Sequence, residues 1–190
     1  MISGRGLAKR YGERRVFAGL DLDLAAGGLL LVTGPNGSGK TTLLRILARL
    51  TAPSAGELAL PAREAIGYLG HAPMVYRELT ALENLTLLGR LYRVPERGER
   101  IGMLLERFGL WDVRHERAGS YSRGMQQRLA LCRVLLHDPA LLVLDEPFNA
   151  LDEAGAALLD AVLAEPRTRV VATHDPRRVE ALATDRLAFA

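Results

Sequence analysis

The sequence predicts an α/β fold: a mainly parallel core sheet, an antiparallel β segment on its N-terminal side, and an inserted α-helical subdomain. Three observations predict it. The run Leu141-Leu142-Val143-Leu144 is continuously apolar, as in a strand buried on both faces of a parallel sheet. From there to the end, helical and strand patterns alternate. Between Thr80 and Leu136 the leucines recur at helical spacing instead. At 190 residues the chain suits one domain, residues 1–190. Residues 1–79 and 137–190 would form the α/β core and about 80–136 the helical part.

Taken in order, residues 2–24 read as two strands with a turn at Gly12. In the second, Leu20, Leu22 and Leu24 alternate with Asp21 and Asp23, so one face is buried. Gly27-Gly28 leads into a third strand, Leu29-Leu30-Leu31-Val32. A helix over 41–50 ends near Pro53, and 54–56 reads as a turn. Residues 57–60 and 65–69 are short strands separated by Pro61. Thr80 with Glu83 three positions on is a capping box. The helix it opens runs through Leu82, Leu85, Leu88 and Leu91 until Val94-Pro95 breaks it. A second helix covers about 96–108 and stops near Gly109. Ser122 can cap an apolar helix that reaches Leu136 and is ended by Asp138-Pro139. Helix 153–164, strand 169–172, a helix near 176–183 and a strand over 185–189 complete the pattern.

Composition narrows the class. Hydrophobic residues make up 48% and charged residues 25%, the balance of a soluble globular protein. The longest apolar stretch, around 134–144, is interrupted by His137-Asp138-Pro139, so no membrane span is expected. The N-terminus lacks a secretory pattern, which makes a cytosolic location the expectation. Cys132 is the only cysteine, which excludes an internal disulfide and a cysteine metal cluster. Its apolar helical setting predicts an inert core thiol. The net charge is +3, with arginines spread along the chain, so nucleic acid is not expected as the main partner. Lysine occurs only at Lys9 and Lys40.

Lys40 lies in Gly34-Pro35-Asn36-Gly37-Ser38-Gly39-Lys40-Thr41-Thr42, which fits G-x-x-x-x-G-K-[ST] between a strand and a helix. Glycines accept positive φ, so consecutive amides can point at one anion. The helix start adds free N–H groups and a positive dipole end. Asn36, Gly37, Ser38, Gly39, Lys40, Thr41 and Thr42 are therefore the candidate ATP-binding loop. Lys40 reaches the β- and γ-phosphates, and the Thr41 hydroxyl is a candidate Mg²⁺ ligand. The apolar run 141–144 ends in Asp145-Glu146, at the strand end where α/β folds place ligands. Asp145 suits the cation and Glu146 suits proton removal from an attacking water. His174, beyond the strand at 169–172, could hydrogen-bond a γ-phosphate. Tyr11 could stack on an adenine ring or pack on its own sheet; both readings stand.

With these motifs in this order, the chain resembles the ATP-binding subunit of an ABC transporter over essentially its whole length. Tyr121-Ser122-Arg123-Gly124-Met125 matches the signature, Asn149-Ala150-Leu151-Asp152 the D-loop and His174 the switch histidine. The resemblance implies a P-loop ATPase acting as a head-to-tail homodimer or heterodimer. Ser122, Arg123, Gly124, Met125 and Asp152 would then contact ATP held by the partner. Glu146, His174 and Lys40 would be catalytic, and Tyr11 would be the adenine-stacking aromatic. It also implies integral membrane subunits as partners and a place at the cytoplasmic face of the inner membrane. Three positions depart from the family pattern. His71 stands where most members carry the Q-loop glutamine, its imidazole still able to ligate near Mg²⁺. Arg123 and Met125 replace the commoner glycine and glutamine of the signature.

The short length, Gly67-Tyr68-Leu69-Gly70-His71-Ala72-Pro73 and Glu78-Leu79-Thr80-Ala81-Leu82-Glu83-Asn84-Leu85 look most like the haem-exporter subunit of cytochrome c maturation. Other exporters, for drugs or lipids, are the alternative. ABC ATPases acting on DNA or ribosomes fit less well: no sustained heptads separate the motifs, and each motif occurs once. No direct haem or substrate binding is expected, since C-x-x-C-H is absent and His71, His115, His137 and His174 are scattered.

Overall fold

The computed structural model describes residues 1–189. β1 (Ile2–Tyr11) and β2 (Arg14–Leu24) form a hairpin that turns at Gly12, where φ is +58°. β3 (Leu29–Thr33) enters the glycine loop and α1 (Lys40–Leu47) leaves it. β4 (Ala55–Ala59) pairs antiparallel with β1, closing a three-stranded sheet in the order β2-β1-β4. β5 (Ile66–Leu69) instead joins β6 (Leu141–Asp145) in the second sheet. That sheet takes in β7 (Thr168–Ala172) and β8 (Asp185–Ala188), in the order β5-β6-β7-β3-β8, with every pairing parallel.

The parallel sheet is buried on both faces, and strand periodicity divides its side chains between two cores. Leu29, Leu31, Leu142, Leu144 and Val171 pack into one cluster with the helices. Leu30, Val32, Leu141, Val143, Val170 and Ala172 pack into the other, beneath α1 and the antiparallel sheet. Successive side chains of a strand point to opposite faces, so an apolar run with no polar parity needs cover on both sides. Each such leucine or valine contributes about 1.5–3 kcal/mol by burial.

The helical face is built from α2 (Ala81–Leu91), α3 (Arg97–Arg107), α4 (Arg123–Leu135) and α5 (Glu153–Ala164). The capping box expected at α2 is present: Glu83 N–H donates to Thr80 Oγ1 at 3.1 Å, and Thr80 N–H to Glu83 Oε2 at 2.8 Å. Ser122 caps α4, accepting from Met125 N–H at 3.2 Å. Cys132 is fully buried, and burial pushes its thiol far above the usual range, so the inert reading holds.

Two expectations need correction. The helix over 41–50 begins at Lys40 and stops at Leu47, because Arg49 turns left-handed (φ +55°) and donates to the Leu60 and Pro61 carbonyls. The helix near 176–183 is only a 3₁₀ turn, Pro176–Arg178. Val179 is buried there while Leu182 lies exposed, so no apolar stripe exists to offset the cost of nucleating a helix. Among the described residues, no helix is long and apolar enough to cross a membrane.

Candidate active site

All five strands of the second sheet run the same way, so β3, β5, β6 and β7 end on one edge. A cavity of about 690 Å³ opens there. It brings together residues far apart in sequence: Tyr11, Asn36, Gly37, Gly39, Lys40, Thr41, Thr42, His71, Asp145, Glu146 and His174; of the predicted loop only Ser38 is not in its lining.

The glycine loop is shaped by its lack of side chains. Gly39 caps α1 at φ +114°, and a Cβ there would lie 3.0 Å from Val16 Cγ1. At Gly34 (φ +142°) a Cβ would sit 2.8 Å from the Phe189 carbonyl oxygen. The first turn of α1 leaves the amides of Lys40, Thr41 and Thr42 without intrahelical acceptors. Lys40 is 7% exposed, and its ammonium donates to the Gly34 and Pro35 carbonyls at 2.7 and 2.9 Å. A third N–H therefore stays available. Ser38 Oγ is buried without a partner. The loop thus sets the Lys40 ammonium and the open amides of the first turn along the cavity wall, which suits phosphate.

At the end of β6 the two carboxylates differ. Asp145 is 2% exposed, and burial pushes its carboxyl above the usual range, although the neighbouring Thr41 hydroxyl pulls the other way. Its Oδ2 is buried with no hydrogen-bond partner. An orphaned carboxylate oxygen beside a threonine hydroxyl is a donor set that fits Mg²⁺. Among the described residues no three His, Cys, Asp or Glu side chains converge on one point, so the protein alone builds no metal cage. Glu146 takes φ +50° and donates its N–H to the Ala172 carbonyl at 2.8 Å. This left-handed residue turns the chain off the sheet. Its Oε2 then lies 2.8 Å from His174 Nδ1.

Tyr11 is half exposed, with Lys9 Nζ 4.9 Å from its ring centroid. Lys9, the other lysine, also donates to Thr51 Oγ1 and the Ala52 carbonyl, so it too has a specific position. Ser122, Gly124, Met125 and Asp152 stay outside this cavity. Met125 packs on the helical core, Gly124 lies close to the Ala150 carbonyl, and Asp152 caps α5 by accepting from Gly155 N–H at 2.8 Å. Arg123 lines an adjoining cleft that His71 and Asn149 share with the main cavity.

Residues not singled out from sequence also shape the site. Arg14 lines the cavity, and the hairpin register places it opposite Tyr11. Asn149, the first residue of the stretch matched to the D-loop, lines it too, although sequence alone assigned it no role of its own. Gln127 donates to the Pro147 carbonyl at 3.2 Å, tying α4 to the segment after Glu146. Asn84, 2% exposed, exchanges hydrogen bonds with Tyr76 in both directions and holds the loop before α2. A buried polar residue on the inner face of a predicted amphipathic helix was the signal available.

Comparison with known proteins agrees with this geometry. The family model described as ABC transporter matches residues 17–149. The cytochrome c biogenesis ATP-binding export protein CcmA of Pseudomonas putida (strain KT2440) is 41% identical over 187 residues, covering 91% of this chain and 89% of that one. The uncharacterized ABC transporter ATP-binding protein YxlF of Bacillus subtilis is 41% identical over 162 residues; 82% of this chain is covered, but the match spans only 55% of YxlF. Among solved structures, a dimeric post-hydrolysis state of the ATP-binding cassette MJ0796 bound to ADP and Pi superposes with a TM-score of 0.88 at 28% identity. The match covers 100% of this chain and 94% of that one. The chain belongs to the ABC transporter family, as an ATP-binding subunit of the ATPase type.

Proposed function

We propose that two such subunits, identical or paired with a close relative, clamp ATP between them and that its hydrolysis drives export by separate membrane subunits. The observation that supports this is the convergence of loop donors, Asp145, Glu146 and His174 on one cavity. Within one subunit, the loop amides and Lys40 hold the phosphates, and Tyr11 offers a face to the base. Thr41 and Asp145 would hold Mg²⁺, which supplies charge neutralisation at the phosphates. The Glu146 carboxylate accepts the proton of the attacking water, while the His174 Nδ1–H bond keeps that carboxylate aimed. The water oxygen bonds to the γ-phosphorus as the bond from that phosphorus to the β,γ-bridging oxygen breaks, and the bridging oxygen leaves on ADP, giving ADP and phosphate.

Ser122, Arg123, Gly124 and Asp152 lie outside this cavity and are free to serve the opposing subunit's nucleotide. Closure by that surface excludes water, so ATP joins the halves and its hydrolysis releases them. The similarity to CcmA, named for export in cytochrome c biogenesis, favours that process at the cytoplasmic face of the cell membrane, with haem the cargo that the sequence resemblance implies. Haem itself need not touch this chain. A second reading is another exporter, for drugs or lipids; the equal identity to YxlF, whose name specifies no cargo, supports no more than an ABC transporter ATP-binding subunit.

The test uses Glu146→Gln. It should bind ATP, form a stable dimer and lose hydrolysis by roughly 10²–10⁴-fold. Captured from detergent-solubilised membranes, it should bring down multi-span subunits. Unchanged phosphate release would overturn the assignment of Glu146, and capture of nucleic acid instead would overturn transport.

A further inference from the structure

The tip of the β1–β2 hairpin brings an uncommitted cation into the nucleotide cavity. β2 rests on the phosphate loop: a Cβ at Gly39 would lie 3.0 Å from Val16 Cγ1 and 3.3 Å from Phe17 Cδ1. Val16 is the extra residue of a bulge, since Lys9 pairs with Phe17 but Arg10 already pairs with Arg15. Such a bulge bends its strand and re-aims the side chains beside it. Arg14 lies two residues before Val16, about 7 Å along the strand from the loop contact, and pairs with Tyr11. Cross-strand partners share a face, so Arg14 stands beside Tyr11, and both line the cavity. It therefore occupies the stretch between Tyr11 and the loop that carries Lys40. Glu13, its neighbour in the chain, lies 3.4 Å from Arg10 Nη2 instead, and the Arg14 side chain makes no hydrogen bond or ion pair among the described residues. The nearby lysines are engaged: Lys9 with Thr51 Oγ1 and the Ala52 carbonyl, Lys40 with the Gly34 and Pro35 carbonyls. Among the described residues Arg14 is the only arginine in the lining.

We propose that Arg14 binds the α-phosphate of the nucleotide. This rests on the nucleotide-site reading above. With the base on Tyr11 and the β- and γ-phosphates on the loop, covalent order puts the ribose and α-phosphate in the stretch between, where Arg14 stands. Of those two groups only the phosphate is an anion. A guanidinium matches two phosphate oxygens with its planar N–H fork, and an oxyanion is the partner that this one lacks. The α-phosphate keeps its charge and place when the γ-phosphoryl group leaves, so the contact is common to ATP, the transition state and ADP. Arg14 thus strengthens nucleotide binding without favouring the transition state; it is a binding residue and not a catalytic one.

The experiment measures ADP binding to the full chain by isothermal titration calorimetry in EDTA, which removes cation bridges from the comparison. Arg14→Gln should raise the ADP dissociation constant about tenfold, and Arg14→Lys, which keeps the charge without the fork, by less. Arg15→Gln removes an equal charge from the same hairpin outside the cavity lining, and should leave the constant within about twofold. One diastereomer of ADPαS, with sulfur in place of a non-bridging α-oxygen, should bind wild type severalfold more weakly than ADP. That gap should close in Arg14→Gln. With Mg²⁺ and ATP, the loss in Arg14→Gln should fall on KM and not on kcat. Equal ADP affinity in wild type and Arg14→Gln overturns this proposal and leaves the nucleotide site standing. So does weaker binding with the sulfur gap intact, which puts Arg14 on another part of the nucleotide, or an equal loss in Arg15→Gln, which reduces its effect to the general field of the hairpin. Wild-type protein that binds no ADP overturns both this proposal and the underlying nucleotide-site reading.

Discussion

Asp145 and Glu146 are neighbours in sequence that their surroundings set apart. One is sealed at the end of a strand; the other is turned outward by a left-handed φ of +50°. Such a conformation costs a non-glycine residue about 1–3 kcal/mol, and here it points a carboxylate at His174. His137 raises the same question away from the site. Its ring stacks on Tyr92 at 4.1 Å, and burial, with help from Arg133 and Arg100, holds its pKa below the ordinary imidazole value. The unfolded chain therefore takes up a proton that the folded chain resists, and stability falls as pH drops through the ordinary histidine range. We predict that Tm declines between pH 7 and pH 5. His137→Phe, which keeps the stack, should flatten that decline when Tm is followed by circular dichroism. None of this was legible from sequence, where His137 read only as part of an interruption in an apolar stretch. Protonation depends on what packs around a ring, and that is set by α4 meeting the chain from Ile66 and Tyr92.

At the scale of elements, caps separate structural from chemical roles. Thr80 and Glu83 close the start of α2 reciprocally, and Thr80→Ala should cost about 1 kcal/mol in urea unfolding with little change in ATP hydrolysis. Ser122 makes the same kind of cap on α4 but is proposed to meet phosphate across the dimer. Ser122→Asp keeps a capping oxygen, so stability should hold. Its negative charge faces ATP, so ATP-driven dimerisation of the Glu146→Gln background should disappear in sedimentation. A variant that dimerises normally removes Ser122 from the partner's site. Helix starts were readable because a cap is a local pattern of three or four residues. The end of α1 and the missing helix after Pro176 were not, because both depend on neighbours: the Leu60 and Pro61 carbonyls that hold Arg49, and the absence of a surface to bury Leu182.

For the whole molecule, the proposed function gives each subunit half a site. Ser122 and Asp152 of the same chain do not line the cavity. Hydrolysis should therefore rise more steeply than linearly with protein concentration and become proportional to it once dimers predominate. Phosphate release measured across a hundredfold dilution checks this; strict proportionality throughout would place a complete site in one subunit.

The sequence by itself determined the α/β class, the phosphate loop, the acidic strand end and the helix caps. These are written in adjacent residues, through glycine's conformational freedom, strand periodicity and the chemistry of capping. Only the tertiary structure decided that β4 and β5, close in the chain, belong to different sheets, and that Tyr11, Arg14, His71 and His174 share one cavity. Strand order arises from how two hydrophobic faces are covered at once, a property of the packed whole that no local stretch encodes.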